Sequence, residues 1–562
     1  MIADFLKKLV KVFWLLPGLL LWASFPPVAE KTDCVFALAP LLWLARNRDA
    51  KTSFKKWFVN GFVFWFATLS WMPAIVKNGG PWPLVVLGWG ALAAYCALYF
   101  GAFGWLSSKV WAWVKDEGTA WRKPPRFPYG RRLFAILVAE PLLWCGLELL
   151  RSRLFGGFSW NHLGLPLVNA NLGSPAALGG VYLVSAVVIL VNGTIAGIAE
   201  RMMRRTTRWA SLETLIPFLL VLGLYALGEG AVFCSAPFAD GSNELHVAMV
   251  QRNFPCVFKP AEREDPIAVY SNLLANVAYT RPDLVVLAES ALSEFGAADS
   301  PRSLAFARWV SKLTGAREVI AGGGRFADGK EYNSAILFSG LGGPSGRLGD
   351  APLPISPSPL PVTRIYDKVH LVPFGEFIPG DKWITALQKL APVGSCTPGK
   401  LKLLDRYGVA ICFEDTDSAQ MRALARMDAQ CLVFITNDSW FSDSIEAEQH
   451  AWQSVARAVE TGLSVVRVGN SGVTGTISPR GVANWLVGAD GRPLVDVRGT
   501  MCESVLLKNE VPYSPEQKLP PFLTPYTLAG DIPLSVSFAL LILSMVLVKY
   551  RDTYEKRRYL SM

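Results

Sequence analysis

The sequence predicts a polytopic α-helical membrane domain of about eight transmembrane helices, joined to an extracytoplasmic α/β sandwich domain. Three observations carry this. Apolar residues make up 51% of the 562 positions, with 20 Trp and 31 Phe, more than soluble domains of this total length use. They gather in long runs whose connecting loops are alternately rich and poor in Lys and Arg. Beyond residue 229 charges return, and short β-rich runs alternate with helical stretches.

Eight apolar stretches lie at about 12–26, 34–45, 57–76, 82–106, 133–150, 179–198, 209–228 and 532–549. A bilayer-crossing helix needs roughly 20 residues, so the first two are short and either extend past these limits or pair as a hairpin. Residues 12–26 follow Lys7, Lys8 and Lys11, and a signal peptide cut near Ala23 or Ala29 is the weaker alternative for them. With the N-terminus in the cytoplasm, Arg46, Arg48, Lys51, Lys55 and Lys56 fall inside, as do the seven Lys and Arg between 109 and 132. Arg201, Arg204, Arg205, Arg208 and the tail from Lys549 to Arg558 follow them, whereas the opposite short loops carry only Lys31, Lys77, Arg151 and Arg153. This asymmetry puts 229–531 outside the cytoplasm. The expected domains are therefore 1–228 with seven helices, the extracytoplasmic 229–531, and 532–562 with a last helix and a basic cytoplasmic tail. The net charge of +10 is spent against anionic lipid head groups, and no nucleic-acid partner is expected.

Two carboxylates lie in the fifth stretch. Charge at mid-bilayer costs at least about 2.5–3.5 kcal/mol, so Glu140 and Glu148 should face other helices or water. Glu148 is spaced to pair with Arg151, and Glu140 before Pro141 marks a potential kink. The aromatic, glycine-rich loop 155–164 belongs to the outer side, where it meets the external domain, a lipid head group or simply the interface.

In the external part, Leu245–Asn253 reads as a first strand, 265–280 as an amphipathic helix, 283–290 as a strand ending in Glu289, and 302–314 as a second helix. Glu318–Gly324 and Asn333–Phe338 are further strands. Gly322, Gly323 and Gly324 precede no Gly-Lys-Ser/Thr, so they mark a close-packed strand end instead of a phosphate loop. The Gly/Pro/Ser-dense 339–363 is a surface excursion. Nine cysteines include no Cys-x-x-Cys, and the four histidines 162, 246, 370 and 450 are far apart, so neither a metal site nor a cofactor is expected. An extracytoplasmic compartment permits disulfides, and Cys256 with Cys396 is one pairing that spacing alone does not establish.

Tyr407–Asp415 and Cys431–Phe441 are two buried strands closing on polar residues. Cys412 sits where the first of them ends, a place where a turn can hold a sulfur clear of the backbone with amide N–H groups around it. A buried structural cysteine is the competing reading. Glu289 ends one upstream strand, and Tyr366-Asp367-Lys368 leads into the loop Val369–Pro379, which contains Glu376. A thiol of pKa near 8.5 needs a base or a nearby cation to attack at neutral pH, and Glu289 and Lys368 supply both.

The order Glu289, Lys368, Cys412, with the strings Lys368-Val-His-Leu-Val-Pro-Phe-Gly-Glu-Phe-Ile-Pro379 and Thr436-Asn-Asp-Ser-Trp-Phe441, resembles the nitrilase superfamily and, within it, the membrane-bound apolipoprotein N-acyltransferases. The likeness spans roughly 244–531, with flanking apolar segments in the same layout. It implies a nitrilase-like αββα sandwich domain on the outer side of a multi-pass protein of the bacterial cytoplasmic (inner) membrane. It also implies a phospholipid acyl donor, lipoproteins with a diacylglyceryl-cysteine as acceptors, and a thioester on Cys412. Glu289 would be the base and Lys368 the oxyanion partner, with Glu376 and Glu414 supporting them and Trp440, Phe441 and Trp383 lining the substrate site. Trp383, Phe377 and Ile378 further suggest a lid. Two departures from the family pattern bear on rate and substrate preference: Phe413 stands where members commonly carry Tyr, and Phe258-Lys259-Pro260 where many carry a Trp. A membrane-tethered amidase would use the same three residues and release acid to water, whereas a transporter would need paired midplane charges beyond Glu140.

Overall fold

The computed structural model describes residues 14–115, 128–204, 212–235, 243–254, 264–341, 362–378, 395–508 and 522–561. The chain forms two compact units, one of Met1–Ser70, Val86–Ala231 and Ala529–Met562, the other of Trp71–Val85 and Val232–Leu528. The 71–85 segment thus belongs to the second unit.

In the first unit, α1 (Leu16–Ala23), α2 (Ala39–Asn47), α3 (Ala50–Thr68), α4 (Trp82–Val114), α5 (Glu140–Arg151), α6 (Ala176–Arg204) and α7 (Leu212–Ser235) follow in order. Among the described residues six helical segments, including one over Ile532–Tyr559, are long and apolar enough to cross a membrane. The expected count of eight is not reached because Leu16–Ala23 and the apolar helix Cys34–Asn47 are too short. Charge inside this unit is matched. Glu140 is wholly buried, pairs with Arg46 at 3.1 Å and accepts from Ser107 and Trp111, each at 2.8 Å. A π-helical turn, Ala135–Ala139, precedes it, beside Pro141, whose missing N–H disturbs the regular ladder. Glu148 and Arg151 turn to the main chain of the 155–164 loop: Glu148 accepts from the Leu163 N–H at 2.8 Å, and Arg151 donates to the Phe158 and Trp160 carbonyls at 2.7 Å each.

The second unit contains β1 (Glu244–Gln251), α8 (Pro266–Ala278), β2 (Leu284–Leu287), α9 (Pro301–Thr314), β3 (Glu318–Ala327), β4 (Lys330–Ser339), β5 (Val362–Asp367), β6 (Tyr407–Ile411), α10 (Ser418–Arg426), β7 (Cys431–Thr436), α11 (Glu446–Thr461), β8 (Val465–Gly469), β9 (Gly475–Ile477), β10 (Ala483–Trp485) and β11 (Gly499–Leu506). Six strands pair in the order β11-β1-β2-β3-β4-β5 and five as β10-β9-β8-β7-β6. Alternation along each strand builds two cores. Val247, Met249, Val286, Ile320 and Leu337 of the first sheet pack against Val409, Ile411, Val433, Ile435 and Val466 of the second. The opposite face of the first sheet, with Ala248, Val250, Val285 and Val319, packs on Tyr270, Leu274, Phe306 and Val310 of α8 and α9. The second sheet carries α10 and α11, giving the expected αββα layering.

Candidate active site

Strand ends deliver the site. Glu289 lies two residues beyond β2, Lys368 directly after β5 and Cys412 directly after β6. Glu289 and Lys368 are buried, at 8% and 1% exposure, and Cys412 is partly open. Cys412 opens a short 3-10 turn, Cys412–Thr416, with φ of +54°, a conformation that a non-glycine residue holds only when its surroundings impose it.

Glu414 imposes it. Fully buried, it accepts from the Ile411 N–H at 2.8 Å on one oxygen and from the Val369 and His370 N–H groups at 2.7 and 3.0 Å on the other, while the Tyr366 hydroxyl reaches both at 3.0 Å. The carboxylate therefore ties the backbone after Lys368 to the backbone before Cys412. Glu376 accepts from Lys368 Nζ at 2.9 Å and from the Val372 N–H at 2.8 Å. The Asn333 side-chain amide on β4 donates to Glu289 and Glu376, each at 2.7 Å, and the Asn333 main-chain carbonyl receives the Lys368 N–H at 2.8 Å. Glycine is required behind Glu289, since a Cβ on Gly322 would stand 2.8 Å from the Glu289 Cα.

The electrostatics follow from this enclosure. Burial pushes the Glu289 carboxyl up, against the pull of Lys368. Burial works against the Lys368 charge, yet the neighbouring carboxyl groups, Glu376 foremost and then Glu289, outweigh it and hold the ammonium. Burial, then Glu289, push the Cys412 thiol well above its ordinary value, with Lys368 opposing. The Cys412 thiol therefore rests protonated, beside the Glu289 carboxyl group and the Lys368 ammonium.

Behind the Cys412 turn lies a buried ionic lattice. His450 Nε2 is 3.0 Å from Asp415 and Nδ1 2.9 Å from Asp438. Arg467 donates to Asp415 at 2.5 Å and to Asp438 at 3.5 Å, and Ser454 and Thr436 complete the set. Two ionised acceptors require both ring nitrogens to donate, so His450 is an imidazolium. Burial opposes that charge, but Asp415 and Asp438 raise His450 to about 10. Asp438, Glu446 and His450 bring ligand atoms within 4.8 Å of one another, a spacing a cation could use. Both imidazole nitrogens, however, are already engaged by Asp415 and Asp438.

The structure brings Glu289, Lys368, Cys412, Glu376 and Glu414 together. Trp440 and Phe441 follow β7 on the 3-10 turn Asp438–Phe441, with Trp440 37% exposed. Of the suggested lid, Ile378 is buried, so it does not present itself as a surface anchor; Trp383 lies outside the described residues, as do Cys256 and Phe258-Lys259-Pro260. Cys396 carries a free thiol. Sequence reasoning passed over Asn333 and the lattice. The available signal was Glu446, His450 and Ser454, spaced four residues apart and so on one face of a helix.

Comparison with known proteins gives two family matches: residues 17–194 match the apolipoprotein N-acyltransferase N-terminal domain, and residues 246–507 match carbon-nitrogen hydrolase. The apolipoprotein N-acyltransferase of Geobacter metallireducens is 32% identical over 492 residues, covering 83% of this chain and 84% of that protein. That of Photobacterium profundum is 26% identical over 549 residues, covering 95% and 94%. A carbon-nitrogen hydrolase structure from Helicobacter pylori aligns with 46% of this chain and 89% of its own at 17% identity and a TM-score of 0.32.

Proposed function

We propose, from the premise that this chain belongs to the apolipoprotein N-acyltransferase family, that it is a multi-pass membrane acyltransferase that N-acylates lipoproteins, working through Glu289, Lys368 and Cys412. The observation that carries the catalytic assignment is the enclosure of a thiol, a carboxylate and an ammonium at three strand ends, with Asn333 and Glu376 holding the Glu289 and Lys368 side chains and Glu414 the backbone beside Lys368 and Cys412.

The reaction divides into two half-reactions. Glu289 takes the Cys412 proton as sulfur bonds to an ester carbonyl carbon of a phospholipid. The Lys368 ammonium and main-chain N–H groups at the Cys412 turn stabilise the developing oxyanion, a contribution of about 2.7–4 kcal/mol for one donor in comparable sites. The C–O bond breaks, Glu289 returns the proton to the departing lysophospholipid oxygen, and the acyl group rests on Cys412 as a thioester. In the second half, Glu289 takes a proton from the α-amine of a diacylglyceryl-cysteine, nitrogen bonds to the thioester carbon, and the C–S bond breaks. The sulfur recovers its proton and the product is an amide. Because the thiol rests protonated, proton removal accompanies attack, and Lys368 acts on the charge that forms on oxygen.

Glu376 orients Lys368, and Glu414 holds the two catalytic turns in register. Trp440, Phe441 and Trp383 serve acyl-chain binding. The membrane is the bacterial inner membrane, with the domain 229–531 outward between the helices of 1–228 and the final helix and basic tail of 532–562; the Lys and Arg asymmetry supports this orientation. Incubation with phospholipid carrying a labelled acyl chain, followed by a diacylglyceryl peptide, tests the function. Amide-linked label on the peptide is expected, absent in Cys412→Ala. Release of the label only as free fatty acid would favour the amidase-like hydrolase.

A further inference from the structure

The loop leaving α3 enters the catalytic unit. Its 3-10 turn, Met72–Asn78, lies against the turn Asp438–Phe441 that follows β7. Asn78 Nδ2 donates to two successive carbonyls, Ser439 at 3.2 Å and Trp440 at 2.8 Å. Both partners are acceptors, so chemistry fixes which end of the amide faces them. The Trp71 indole meets the Phe441 ring edge-on at 4.8 Å, and Lys77 pairs with Asp443 at 3.0 Å. Both members of that ion pair are largely exposed and add little. The amide and the buried indole carry the contact.

Within the turn the Ser439 carbonyl also accepts from Ser442 Oγ at 3.0 Å, and Asn78 adds a donor from a segment remote in sequence to that carbonyl and to the Trp440 carbonyl. The other end of the turn is fixed independently, because Asp438 is held by Thr436 and His450. Trp440 and Phe441 stand between these anchors. The charge of Asp438, which acts on both Cys412 and Glu289, is held by contacts of its own, whereas Asn78 and Trp71 engage the Trp440–Phe441 end of the turn.

We propose that Asn78 is a positioning residue for acyl-donor selection: its amide, with Trp71 beside it, fixes the Trp440–Phe441 surface against which the donor acyl chain lies. This rests on the proposed role of Trp440 and Phe441 in acyl binding. A segment remote in sequence from Cys412 then tunes which chains are accepted and leaves the thiol chemistry alone.

Asn78→Asp tests this, since the near-isosteric carboxylate cannot donate. The full-length enzyme in detergent micelles receives labelled phospholipids with long or short acyl chains, and kcat/KM for Cys412 acylation is measured for each. The expected result is a loss of about tenfold or more with the long-chain donor, as befits two lost hydrogen bonds, and a change within about twofold with the short-chain donor. Trp71→Ala is expected to give the same split, and Asn78→Gln, which keeps a donor, to recover part of the long-chain rate. Equal losses on both donors, or no loss on either, with an unchanged unfolding temperature, would overturn the inference. Cys412→Ala serves as control. Acylation of that variant at the normal rate would instead remove the catalytic assignment on which the inference stands.

Discussion

Replacing Asn333 with Ala removes one amide that serves two carboxylates, and the two consequences separate. Glu376 keeps Lys368 and the Val372 N–H. Glu289 loses the Asn333 side-chain donor at 2.7 Å, a group that favours its ionised form. A hydrogen bond to a charged group contributes about 1.5–3 kcal/mol. Asn333 is partly exposed, so water replaces part of that and the lower figure applies. At about 1.36 kcal/mol per pH unit, the Glu289 carboxyl should rise by about one unit beyond the increase that burial already causes. Since Glu289 acts as a base only when ionised, the acid limb of kcat/KM against pH should move to higher pH by that amount, with the rate largely restored above it. Asn333→Asp, which adds a third carboxylate, should move the limb further in the same direction. The assay is the pH dependence of Cys412 acylation by labelled phospholipid. A lowered plateau with the acid limb unmoved would refute the base assignment of Glu289.

Three further outcomes are expected. Lys368→Ala should lower the acylation rate by about 10²–10³-fold in single-turnover measurements, the loss typical of one oxyanion donor; a tenfold loss or less would remove Lys368 from that role. Glu414→Gln places an NH2 against the Ile411 N–H or the Val369–His370 pair, orphaning at least one buried donor at a cost of about 1–3 kcal/mol, and chemical denaturation should register it together with slower acylation. His450 is raised to about 10 in the folded protein against about 6.5 unfolded, so its contribution is fully present below about pH 6.5 and is lost as pH rises through about 10. His450→Gln should accordingly destabilise the protein by about 3–5 kcal/mol near neutral pH and flatten the decline of thermal stability on the alkaline side, as followed by melting curves across pH.

How much of this was legible in the sequence depended on the range of the interactions. The β6 and β7 strands, being continuous apolar runs ending in polar residues, announced both their burial and the position of Cys412. Glu289 and Lys368 were found for the same reason, as charges at the exits of β-rich segments. Gly322 was readable as a close approach, though not what approached it. Asn333 was invisible because a single amide at the polar end of an apolar strand has no pattern of its own; only the β3–β4 and β4–β5 pairing aims it between two carboxylates. The Asp415–Asp438–His450–Arg467 lattice draws on four separate elements, and no local window contains it. In the membrane unit, Glu140 was recognised as needing a partner, but Arg46 is 94 residues away. The expected Glu148–Arg151 pair lost to nearer main-chain groups. Short helices at the start were overcounted as spans because composition reports apolarity before it reports length.

The central claim is that Cys412 becomes acylated by phospholipid with Glu289 as its base, and peptide mapping by mass spectrometry after a single turnover tests it most directly. The account predicts one acyl chain on the peptide containing Cys412, removable by hydroxylamine, formed at least about tenfold more slowly in Glu289→Gln. An acyl adduct on another residue, or acylation of Glu289→Gln at the unaltered rate, would contradict it.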